Sequence, residues 1–111
     1  MPTPQRHPLS VFEAKREALV DLQRIPGVGP AIANDLWELG VERVGDLRGK
    51  DPEALYDAHC AQRGVPVDNC MRYVFRCAVY FATEKEPDPE FLRWWRWKSL
   101  DADARPANLS A

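Results

Sequence analysis

Apolar residues recur along most of this 111-residue chain three or four positions apart, and nowhere with the alternation of a strand. The spacing predicts a first helix from about Ser10 to Arg24, with Phe12, Leu19, Leu22 and then Ile25 facing inward. The run Pro26-Gly27-Val28-Gly29 breaks it. A second helix opens at Pro30, a residue suited to a first helical turn, and buries Ile32, Ala33, Leu36, Trp37 and Leu39 before Gly40 stops it. Val44 and Leu47 mark one further turn. Asp51-Pro52-Glu53 is a start signal in which Asp caps, Pro fits the first position and Glu meets the positive helix end. The same signal recurs at Asp88-Pro89-Glu90.

The longest predicted helix spans about Val67 to Glu84. At 100° per residue, Val67, Cys70, Met71, Val74, Phe75, Cys77, Ala78, Phe81 and Ala82 share one broad apolar face. Asn69, Arg72, Tyr73, Arg76, Tyr80 and Thr83 lie opposite. The expected fold is therefore all-α, a compact domain of about five helices over residues 10–99. RGVPVDNC, between two helices, leaves room for a degenerate second hairpin. Residues 1–9 and 100–111 carry no such pattern and are expected to be flexible ends.

Length allows one domain with a modest core. No apolar run approaches the ~18 residues of a membrane span, and the amino terminus lacks the order of a secretory signal, so a cytoplasmic location is expected. Three cysteines without framework spacing agree with a reducing compartment. The formal charge of −2 counts against a strongly nucleic-acid-binding surface but leaves room for a local contact.

PGVG carries the first candidate chemistry. Gly27 and Gly29 tolerate positive φ and leave their amides open to a ligand. The helix that follows points its free N–H groups and its positive dipole end at the same spot. Successive amides of this kind suit a phosphate oxygen. The same residues serve equally well as a turn that only packs two helices.

Leu22, Ile25, Pro26, Gly27, Val28, Gly29, Pro30, Ala33, Leu36, Leu39, Gly40 and Val41 resemble the helix-hairpin-helix motif of DNA repair and recombination proteins. Over roughly Ala18 to Ser99 the chain resembles the small bacterial pathogenicity-locus family, whose members are frequently labelled mitomycin resistance proteins. The resemblance implies a hairpin whose amides hold the DNA backbone without reading sequence, near DNA repair or damage tolerance. The implied contacts are Arg24, Pro26, Gly27, Val28, Gly29, Pro30 and Ala31. Where strong binders of the motif place a basic and a hydroxyl residue, this chain has Ala31 and Ile32. Over residues 31–67 Arg43, Arg48, Lys50 and Arg63 face Asp35, Glu38, Glu42, Asp46, Asp51, Glu53 and Asp57, which leaves the region acidic. The expected binding to DNA is weak and non-specific.

The segment FLRWWRWK gathers three of the four tryptophans. Read as a helix, it puts Phe91, Leu92, Trp94 and Trp95 on one face and Arg93, Arg96 and Trp97 on the other. With Arg72 and Arg76 these form a possible secondary patch, suited to single-stranded nucleic acid or to a partner protein. The competing reading is a lid that closes a small core.

His59, Cys60, Cys70 and Cys77 do not make a zinc site on this spacing. Cys70 and Cys77 stand about 10 Å apart along one helix, too far to share a metal at thiolate bond lengths. His59 and Cys60, as neighbours on a helix, point to different faces and make no nucleophile–base pair. No phosphate-loop, metalloprotease or serine-hydrolase motif is present. The sequence reading is a non-catalytic DNA-binding module without metal or cofactor. The alternative is a protein-interaction module in which the hairpin is structural and the Trp/Arg-rich end binds the partner.

Overall fold

Helix α1 (Pro8–Leu22) leads through the PGVG turn into α2 (Pro30–Glu38), and a 3-10 turn (Val44–Leu47) connects α2 to α3 (Pro52–Arg63). Then follow α4 (Asn69–Thr83), a second 3-10 turn (Pro89–Leu92) and the short α5 (Arg96–Leu100). The computed structural model describes residues 8–100. The fold is all-α, with five α-helices and no strand among the described residues. The expected flexible ends lie outside the described residues, apart from 8 and 9 in α1 and 100 in α5. No helix among the described residues is long and apolar enough to cross a membrane.

The helix boundaries follow the local chemistry. Asp51, Asp68 and Asp88 each accept an amide hydrogen bond of 2.9 Å from two residues on: Glu53, Cys70 and Glu90. At the end of α2 the Gly40 amide donates to Trp37 O and the Val41 amide to Leu36 O, both at 3.0 Å, with Gly40 at φ 89°. This is a Schellman closure, and its apolar partners Leu36 and Val41 are both fully inside.

α1 packs on α2 and α3 on α4, and α4 also meets both 3-10 turns and α5. One buried cluster joins Leu22, Ile25, Val28, Ala33, Leu36 and Val41 from the first helix pair to Leu55, Val74, Phe75 and Ala78 from the second. The second pair is joined through Gly64, in the left-handed region at φ 72°. Tyr56 donates its hydroxyl proton to the Val67 carbonyl across that link. Asp35 and Arg63 (3.1 Å) with Gln62 Nε2 and Glu38 O (2.8 Å) tie α2 to α3.

Two expected faces are corrected. Phe12 is 67% exposed rather than inward. At 1.5 Å per residue the nine-residue α2 is too short to reach the first turns of the 15-residue α1. Helix α4 buries two faces, because Tyr73 and Tyr80, placed on the solvent side by the sequence pattern, form a second cluster with Cys77 and Trp97. Cys70, placed inward, is exposed at the start of α4.

The C-terminal segment makes that second cluster. The Asp88 start signal nucleates a 3-10 turn only, and the backbone becomes extended at Arg93 (φ −95°, ψ 108°). That break lets Phe91 and Trp97 both reach Tyr80, at ring-centroid distances of 6.0 and 5.5 Å. Trp97 donates its indole N–H to Phe91 O at 2.9 Å, and Tyr80 accepts the Asp88 amide at 2.9 Å. Trp97 is thus a core residue, 4% exposed, while Trp95 is 53% exposed, the reverse of the single-helix expectation.

Candidate functional site

The turn between α1 and α2 is wound by short-range bonds. The Ile25 amide donates to Leu22 O at 3.1 Å and the Val28 amide to Ile25 O at 3.0 Å. Val28 drives its side chain into the core and pins the turn there. Gly27 sits at φ 86°, a region that side-chain-bearing residues rarely occupy. Gly29 is the N-cap of α2 in extended backbone (φ −94°, ψ −171°) and offers no capping side chain. Pro30 follows at the first helical position, and the first bond into the helix is Ala33 N–H to Gly29 O at 2.9 Å. The amides of Gly27, Gly29, Ala31 and Ile32 therefore find no acceptor among the described residues.

The residues around these donors are laid out unevenly. Gly27, Pro30 and Ala31 are exposed, and Pro26 and Gly29 are half-buried. Arg24 stands beside the turn and pairs with Asp21 at 2.8 Å. It also borders an open depression of about 310 Å³ lined by Arg16, Glu17, Val20, Asp21, Arg24 and Arg43. There three guanidinium groups meet two carboxylates, with Arg43 and Glu17 3.7 Å apart. Sequence reasoning missed Arg16 and Arg43. The spacing of Arg16 and Val20 on α1 held the signal for Arg16, whereas Arg43 arrives from beyond α2 only through the fold.

Asp21 is the brace of this region. Its carboxylate accepts the Val44 amide at 2.8 Å, which fixes the first 3-10 turn against the end of α1. That backbone hydrogen bond, aided by Arg24 and Arg43, holds the carboxyl below the ordinary aspartate value. A lowered folded pKa contributes stability that is complete above the unfolded value of about 3.9 and is lost as pH falls through the folded value. Asp21→Asn should therefore flatten the acid side of the stability profile. Urea midpoints measured from pH 5 downward should fall less steeply in Asp21→Asn than in the wild type, and parallel curves would remove Asp21 from this role.

The secondary patch expected from the sequence is dispersed. Arg72 and Arg76 both pair with Glu53, at 2.9 and 2.6 Å, and their guanidinium groups lie over the Tyr56 and Tyr73 rings. Arg96 pairs with Glu90 at 3.1 Å. Trp97 is buried, and of this set Arg93 is the exposed cation with no ion-pair partner among the described residues. Trp94, by contrast, joins the turn: a Cβ on Gly27 would lie 3.1 Å from its Cδ1.

Among the described residues no group of three or more His, Cys, Asp or Glu side chains is arranged to hold a metal ion. Burial pushes the Cys77 thiol up to about 12, and a hydrogen bond with Asp68 raises that of Cys70. Neither is set up as a thiolate nucleophile.

Residues 15–102, from the middle of α1 through α5, match the family described as Pathogenicity locus. The chain belongs to that family. It is also 29% identical over 77 residues to the Mitomycin resistance protein McrB of Streptomyces lavendulae, covering 69% of this chain and 70% of the relative. No solved structure matches it. The family match takes in the turn, the Arg24–Asp21 pair and Trp94 together, so the whole candidate site lies within the shared region.

Proposed function

We propose that this member of the Pathogenicity locus family is a non-catalytic DNA-binding module, a helix-hairpin-helix protein that holds the phosphate backbone without reading sequence. The observation that supports it is the set of four amide donors at Gly27, Gly29, Ala31 and Ile32, left without acceptors where α2 begins. A phosphate group placed there would offer acceptor oxygens to these amides, and the positive end of the helix dipole favours its charge. Val28 anchors the turn through its side chain and spends its own amide inside it. Arg24 adds a cation at the edge. The mitomycin relative's name accords with work near drug-damaged DNA.

Neutral amides release no counterions, so affinity carried by them depends less on salt than affinity carried by Lys and Arg. Fluorescence anisotropy with labelled DNA should show weak binding at low salt, with a logarithmic salt slope of only about −1 to −2. Gly29→Asp separates binding from folding. Nothing lies within 4 Å of a Cβ built on Gly29, and Asp is a better N-cap than Gly. The variant should be at least as stable as wild type, yet bind DNA about tenfold more weakly, about 1.4 kcal/mol. Absence of binding at low salt by the folded wild type, or unchanged binding by Gly29→Asp, would count against the hairpin as the contact.

A further inference from the structure

Trp94 and Trp95 are adjacent in sequence but differ in environment. The Trp94 indole is half-buried against Gly27, where a side chain would crowd it as well as strain the backbone. Trp95 stands on Trp94 edge to face, with ring centroids 5.9 Å apart and planes at 86°. It is 53% exposed, although the neighbouring Trp97 is packed away. The exposed indole is thus one ring removed from the turn that offers the open amides. Arg93 is exposed two positions before it, without an ion-pair partner among the described residues.

We infer that Trp95 is a stacking platform for a base of single-stranded DNA whose backbone lies at the PGVG turn. This rests on the DNA-binding reading and names the form of DNA. A duplex keeps its bases stacked on one another and presents phosphates alone to the turn. A single strand can also place a base on an indole face, while Arg93 meets a neighbouring phosphate. Amide donors, an exposed cation and an exposed ring braced on Trp94 supply the backbone and stacking contacts that single-strand binding combines. Such stacking also accounts for exposing a tryptophan beside a turn that its neighbour already covers.

The test uses the full chain and three labelled probes of equal length: a thymidine single strand, an abasic strand with the same backbone, and a duplex. The wild type should bind the single strand about 5- to 100-fold more tightly than the abasic strand. Trp95→Ala should remove most of that difference and leave abasic and duplex binding unchanged. Trp95→Phe, which keeps a ring, should retain most of it. If no probe binds at low salt, the DNA-binding reading fails and this one with it. If the probes bind but Trp95→Ala leaves the preference for bases intact, or weakens abasic and single strands equally, DNA binding stands and stacking at Trp95 is overturned.

Discussion

Trp97→Ala is expected to lower the free energy of unfolding by about 3–5 kcal/mol. The ring belongs to the second cluster with Tyr73, Cys77 and Tyr80, lies against the Tyr80 and Phe91 rings, and donates its N–H to Phe91 O. Removing it opens a large cavity and leaves the Phe91 carbonyl only the weak thiol donor of Cys77, at 3.6 Å. Against the 5–15 kcal/mol that holds a typical domain together, a loss of that size is a large fraction of the whole. Trp97→Phe keeps one aromatic ring but loses the donor and part of the indole's volume, so about 1–3 kcal/mol is expected. Urea denaturation followed by circular dichroism checks both. A loss under about 1 kcal/mol for Trp97→Ala would mean that residues 89–98 do not belong to the cooperative fold.

The two glycines of the turn should answer substitution very differently. Gly27→Ala is expected to cost about 2 kcal/mol, because an alanine at φ 86° is strained and its Cβ meets Trp94 at 3.1 Å. Gly29→Ser should be neutral to within about 0.5 kcal/mol, since its backbone is extended and its surroundings are open. A Trp94→Ala background separates the parts: the steric share of the Gly27→Ala cost disappears and the conformational share persists. Equal costs at Gly27 and Gly29 in denaturant titrations would refute this account of the turn.

Much of the fold was legible because its signals are local. Proline at the first position of α2 and α3, aspartate caps at 51 and 88, and Gly40 beyond α2 act through their own backbone neighbours. The candidate turn was legible for the same reason. What failed was the assumption that a helix with one apolar arc has one buried face. Tyr73 and Tyr80 are amphipathic, so their place was decided by whether another segment crossed α4. Phe91 and Trp97 cross it, and no periodicity in α4 records that. Phe12 failed in the opposite sense, since its pattern promised a partner that the short α2 does not provide. Arg72 and Arg76 were drawn into pairs by Glu53, which comes from α3.

The contact between Trp94 and Gly27 also sets an order of events during synthesis. The ribosome makes the turn early and the indole that covers it late, after both helix pairs have been translated. Until then the nascent chain carries the turn bare. The later-made segment closes one side of it and brings Trp95 alongside, so a chain stalled before residue 94 has the turn and its open amides without the neighbouring ring.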